Sequence, residues 1–181
     1  IGRGRARSAK KFLVGATAVL RSTLMPWNSS AQSLTPIWRI QPGARHLAAA
    51  GNSRQLAYNP ATLDVLYATR TSATAGLVVN RVDSASGTVF GTLNIAGISA
   101  GTIILNSIAV ADDGVIFAAN VSSVAIGTAP AVKVYRWANE AAAPTVAYLG
   151  DPSGTTTVAQ RWGDPITVRG AGPGSKILAG S

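Results

Sequence analysis

Arg161, Trp162 and Asp164 lie within one short stretch, "QRWGDP". A guanidinium and a carboxylate offer charge-assisted hydrogen bonds, and an indole offers a flat face on which a sugar or peptide can stack. The competing reading is structural: the indole packs between sheets while the ion pair ties the loop down. Arg70 and Asn120 join these three as candidate ligand-binding residues. They close two similar phrases, "LAYNPATLDVLYATR" (56–70) and "IAVADDGVIFAAN" (108–120), just before the connections 71–76 and 121–131. Other groups offer less. His46 is the only histidine, and no Ser, Asp or Cys constellation surrounds it in "PGARHLAAAG", so no catalytic triad can be argued. Asp112-Asp113-Gly114 lacks the further ligands and closing Glu of a calcium loop and reads as a hairpin turn. "GAGPGS" (170–175) has no Lys-Ser/Thr pair for a phosphate cradle. No catalytic residue, metal ligand or cofactor is expected.

The elements that position these residues follow from a repeat. A third phrase, "ITVRGAGPGSKILAGS" (166–181), has the same form: an apolar run, a turn, a second apolar run. Asn59-Pro60, Asp112-Asp113-Gly114 and Gly170 to Ser175 are turn chemistry, since Pro presets φ, Gly permits positive φ, and Asn or Asp bonds its own backbone. The runs are rich in Val, Ile, Leu, Tyr and Phe at strand length. Each phrase therefore reads as a β-hairpin. A further hairpin follows the first two, with strands around 77–82 and 88–95, then around 132–138 and 144–149. The unit is four antiparallel strands, which predicts an all-β chain forming part of a β-propeller, with two full blades (54–95 and 107–149) and half of another (164–181). An isolated strand over 34–40 is expected to complete a further blade. The rival fold is a β-sandwich, which does not explain the recurring hairpin pair. "VIFAA" (115–119) does not alternate between apolar and polar, so both faces of that strand should be covered. Connections after second and fourth strands, 71–76, 96–106, 121–131 and 150–163, should emerge at one end, where long loops on a rigid scaffold usually carry function.

Composition bounds the function. The chain has 181 residues, a formal charge of +9 and no cysteine. There is no disulfide framework and no thiolate nucleophile. Six of the basic residues fall in 1–32, which hold no acid, while the remainder carries ten bases and seven acids. The body is thus nearly balanced, and without a basic stripe no nucleic-acid partner is expected. "RGRARSAKK", then the apolar run Phe12 to Leu20, then "SSAQS" read as an export signal over 1–31, too short to span a bilayer. Arg21 cuts the apolar run short, and the alternative is a basic tail or an amphipathic anchor helix. The mature domain is 32–181, with no membrane span. The chain begins at Ile1 and ends within an expected strand, so it reads as a fragment.

The phrases "LAYNPATLDVLYATR…VDSASGTVFGTL" resemble repeats of the YVTN and NHL kinds of bacterial β-propeller. "RQLAYNP", "GTLNIAGISAGTIILNSIAVADDGVIFAAN" and "KVYRWANEAAAPTVAYLGDP" resemble an uncharacterised family of secreted bacterial propellers, a domain of unknown function. The likeness covers about residues 34–181. It implies export to the periplasm, cell surface or medium of a bacterium, a propeller fold, and no assigned activity. The first functional expectation is a non-catalytic binding module for a protein, peptide or glycan. The alternative is an extracellular lyase, hydrolase or cofactor-dependent dehydrogenase whose site further blades complete, and a third reading is a structural surface-layer component. Export makes a direct prediction: mass spectrometry of the secreted product will find Gln32 at its N-terminus, whereas an intact tail on a cytoplasmic product contradicts the signal.

Overall fold

The computed structural model describes residues 35–41, 43, 52–99, 101–123, 131–152 and 160–180. Nearly all belong to one compact unit, Pro36–Ser181; of the other unit, Ile1–Thr35, only Thr35 is among them. The expected export segment and His46 lie outside the described residues.

The described chain is all-β apart from one 3₁₀ turn at Gly172–Gly174. The strands are β1 (Leu56–Asn59), β2 (Asp64–Thr69), β3 (Val78–Asp83), β4 (Val89–Thr92), β5 (Ile103–Val110), β6 (Ile116–Val121), β7 (Val132–Trp137), β8 (Thr145–Gly150), β9 (Ile166–Arg169) and β10 (Lys176–Ala179). They form two four-stranded sheets, β1-β2-β3-β4 and β5-β6-β7-β8, and the hairpin β9-β10, all antiparallel. Turn chemistry sets the hairpins. The Asn59 side chain accepts from the Ala61 amide at 3.0 Å, and Asp113 accepts from the Val115 amide at 3.2 Å. Gly114 takes φ +84, and a Cβ there would lie 2.6 Å from that of Ala61. Only glycine lets the second sheet's turn approach the first sheet's turn so closely.

The pairing register shows how the sheets stack. Ala57 faces Leu66, Ala109 faces Phe117, and Thr167 faces Leu178. If Leu56, Ile108 and Ile166 are equivalent, then so are Leu66, Phe117 and Leu178. Successive side chains on β6 go to opposite faces. Ile116 and Ala118 join Leu66, Ala68 and Val79 of the first sheet. Phe117 and Ala119 join Ile166, Val168 and Ile177 of the hairpin. Every residue of β6 is accordingly buried, as its unbroken apolar run predicts. The stack is first sheet, second sheet, hairpin: three layers, where a two-layer sandwich would leave the outer face of each sheet wet.

The layers also splay. The strands in close approach across layers are β1 and β2 with β5, and β5 and β6 with β9. Toward the outer strands the gap between the two sheets is filled by side chains reaching the 93–102 connection. Trp137 Nε1 donates to the Asn94 carbonyl at 2.7 Å. Tyr135 Oη donates to the Ser99 carbonyl at 2.7 Å and accepts from the Ser99 amide at 3.1 Å.

Two expectations need correction. Residues 35–41 form no strand, so the strand over 34–40 is not seen among the described residues. That segment is held by a side chain: the Trp38 indole lies against Gly87, and its Nε1 donates to the Ser84 carbonyl at 2.7 Å. The second sheet begins at Ile103, earlier than the expected boundary at 107, because β5 continues through a register shift between Ile103 and Ser107.

Burial on both faces predicts a specific mutational result. Ile116→Ala and Phe117→Ala, adjacent in sequence, should each lower stability by about 2–5 kcal/mol in urea unfolding. A near-zero effect for either would mean that one face of β6 is wet.

Candidate ligand-binding rim

Alternation of strand direction puts the ends of β2, β4, β6 and β8 and the starts of β3, β5, β7 and β9 at one end, the rim, and the tight turns at the other. At the rim the start of β5 is fastened on both sides. Arg70 Nη1 donates to the Leu105 carbonyl at 3.0 Å, and the Ile104 amide to the Ala73 carbonyl at 2.9 Å. On the other side Asn106 Nδ2 donates to the backbone carbonyl and Oδ1 of Asp164 at 3.3 and 3.4 Å, and Ser107 Oγ to the Gly163 carbonyl at 2.9 Å.

The segment 160–164 is therefore rigidly seated. Trp162 and Ser122 exchange both backbone hydrogen bonds, at 3.1 and 2.9 Å. Gly163, at φ +95, rests on the Asn120 carbonyl where no Cβ would fit. Arg161 grips Asp164 through Nε and, at 2.9 Å, through Nη2, and both side chains stay partly exposed, at 50% and 41%. The Arg161 guanidinium holds the Asp164 carboxyl below the usual carboxylate range, and Asp164 in turn raises Arg161. The Trp162 ring is half-buried, with Nε1 donating to Gln160 Oε1 at 3.2 Å.

The five candidates thus separate into two groups. Arg161, Trp162 and Asp164 come together on the rim with a guanidinium and part of an indole open to solvent. Arg70 and Asn120 are buried and act as posts. Burial, followed by the charge of Arg54, pushes the Arg70 guanidinium below its ordinary value. Asn120 Oδ1 accepts from the Lys133 amide at 2.8 Å while its Nδ2 donates to the Ala131 carbonyl at 3.1 Å, closing the 122–131 connection. Parts of the connections expected at 121–131 and 150–163 lie outside the described residues.

Sequence reasoning missed a polar network at the turn end. Asn59 Nδ2 and Thr62 Oγ1 each donate to Glu140 Oε1 at 2.7 Å. Arg81 Nη2 sits 3.1 Å from Asp64 Oδ2 and 2.5 Å from Glu140 Oε2, with its guanidinium 4.7 Å from the Phe90 ring centroid. The signal was present as charges inside apolar strands, "DVLYAT" and "VVNRVD". Burial and a hydrogen bond with Glu140 raise the Asp64 carboxyl. Burial pushes Glu140 up as well, but its hydrogen bonds with Thr62, Asp64 and Asn59 and the Arg81 charge outweigh that and hold it low.

The signs give a pH test. A raised Asp64 stabilises the fold below the ordinary carboxyl pKa, and that contribution fades as pH rises through the folded value. A lowered Glu140 stabilises above the ordinary value, and that contribution is lost as pH falls through the folded one. In urea titrations between about pH 3 and 7, Asp64→Asn should reduce the loss seen on raising pH, and Glu140→Gln should reduce the loss seen on lowering it, the rest of which belongs to Asp83, Asp113 and Asp164, whose carboxyls are also held low. Unchanged profiles would mean that burial and the Arg81 charge do not shift the two carboxyls in these directions.

No protein-family model matches the chain, and no curated protein matches it. Among solved structures it is similar to a DUF4623 family protein from Bacteroides eggerthii, at 18% identity and a TM-score of 0.49 over 64% of this chain. The chain spans about a quarter of that protein, 26% of its length. At this identity and score the likeness carries nothing further to this chain.

Proposed function

We propose that this chain is part of an exported β-propeller that binds a protein, peptide or glycan at its rim without catalysing a reaction. Three features support the ring. Four-stranded units recur, equivalent faces pack one on the next, and the layers converge at their first strands and splay outward. Continued, that splay is a fan of blades about an axis. Export rests on the basic and apolar pattern of residues 1–31. Among the described residues no helix is long and apolar enough to cross a membrane.

The observation that carries the binding reading is the seating of 160–164. Trp162, Gly163 and Asp164 are pinned to Ser122, Ser107 and Asn106, so the Arg161 guanidinium and the Trp162 ring are presented without further ordering. Preorganisation of this kind lowers the entropic cost of binding. A planar cation beside an indole suits a carboxylate or hydroxyl-bearing ligand with a flat face. Proton-transfer chemistry is a poorer fit. Arg161 holds the Asp164 carboxyl below the usual range, which makes it a poor proton donor, and the carboxylates Asp64 and Glu140, both against Arg81, lie at the opposite end.

Arrays of glycans and peptides, probed with the full chain, test the reading. Arg161→Ala should weaken binding to the ligand found by about tenfold or more, the effect of losing a charge-assisted hydrogen bond, with its melting temperature nearly unchanged. An array without a binder, or a ligand indifferent to Arg161, contradicts it.

A further inference from the structure

Arg70 is a buried cation without a counter-ion. It is 4% exposed and reaches from the first sheet to the second, so layers enclose it on both sides. Among the described residues its guanidinium makes one hydrogen bond, from Nη1 to the Leu105 carbonyl, and its Nε is buried with no partner. Arginine keeps its charge at any working pH, and a buried charge left unpaired is costly. The chain has seven acidic side chains with which to answer it, and all lie among the described residues. Five stand at the turn end: Asp64, Asp83, Asp112, Asp113 and Glu140. Of the two at the rim, Asp164 is gripped by Arg161, and Asp151 follows the outermost strand, β8. Neither forms an ion pair with Arg70 among the described residues.

A second, independent observation concerns Arg54. Its amide donates to the Ala68 carbonyl at 3.3 Å, which seats it beside the end of β2. Its side chain is exposed and forms no ion pair among the described residues, and its charge acts on both Arg70 and Asp164. Arg54 therefore adds to the uncompensated charge. Three guanidiniums, of Arg54, Arg70 and Arg161, share this part of the rim with one carboxylate, that of Asp164.

We propose that the rim takes an acidic glycan, whose carboxylate or sulfate lies on Arg54 and supplies the negative charge that Arg70 lacks, while a sugar ring meets the Trp162 indole. Contact with the anion falls to Arg54, because Arg70 is buried and acts through its field. An acidic peptide offers the charge without the flat apolar face of a pyranose, for which an indole is the fitting partner. The proposal rests on the reading of the rim as a binding surface and fixes the sign of what it binds.

Calorimetric titration of the full chain with oligogalacturonate, a sulfated galactan oligomer and a neutral galactan oligomer tests it. An acidic oligomer should bind at least about tenfold more tightly than the neutral one, and added salt should weaken it. Which acidic oligomer binds separates carboxylate from sulfate. Arg54→Gln should lower that affinity about tenfold with an unchanged melting temperature, since the side chain it replaces is exposed. A neutral oligomer bound as tightly, acidic binding indifferent to Arg54→Gln, or no binding of either acidic oligomer would overturn the proposal. Polyglutamate bound in their place would overturn it too and make the partner an acidic peptide. A neutral ligand that depends on Arg161 would remove the acidic glycan alone and leave the rim a binding surface; arrays with no binder of any kind would remove both.

Discussion

Strand β6 has no wet side, and the rest of the described structure follows from that constraint. Its side chains alternate between two apolar clusters, one shared with the first sheet and one with the hairpin. A sheet of this kind cannot be stable alone, because burying only one face leaves the other apolar face in water. The second sheet therefore requires a layer before it and a layer after it. The small side chains Ala109, Ala118 and Ala119 let backbones come close on both sides of it. The same logic applies to each unit that shares the pattern, which is why the chain repeats.

Layer packing also explains the polar residues. Arg70 and Asn120 sit where a second strand ends and a connection begins, and each directs its hydrogen bonds to backbone that must be held in place. The turn end uses a different device. Asn59, Thr62, Asp64, Arg81 and Glu140 join the first sheet to the β7–β8 turn of the second. The Asp113 carboxylate continues the series by accepting from the Gly172 amide at 2.7 Å, joining the second sheet's turn to the hairpin's. Neighbouring layers are thus apolar between their strands and fastened by polar groups at both ends.

Much of this was legible in the sequence because the determinants are local. Asn59-Pro60 and Asp113-Gly114 specify their turns without help from distant residues, and strand-length apolar runs flank them. The continuous run at 115–119 announced burial on both faces. What stayed hidden depends on partners far away in sequence. "IWRI" has strand composition, but a strand needs an adjacent edge, and residues 36–41 attach through the Trp38 indole instead. The burial of Arg70 and Asn120 was not legible, because sequence does not distinguish a polar side chain open to solvent from one aimed at a neighbouring carbonyl. Asp64, Arg81 and Glu140 come together only once two sheets are stacked, so no spacing rule could join them. Arg161, Trp162 and Asp164 were legible as a trio because they are near neighbours; their rigidity came from Asn106, Ser107 and Ser122, which the sequence did not single out.

The dry second sheet is most directly tested by amide hydrogen exchange of the intact chain, resolved by residue. Amides in Ile116–Val121 should open only with global unfolding and be the slowest in the protein, while those of the exposed strand Thr145–Gly150 exchange through local opening. Exchange in 116–121 as fast as in 145–150 would mean that the layers do not enclose β6, and the account of the fold would be wrong.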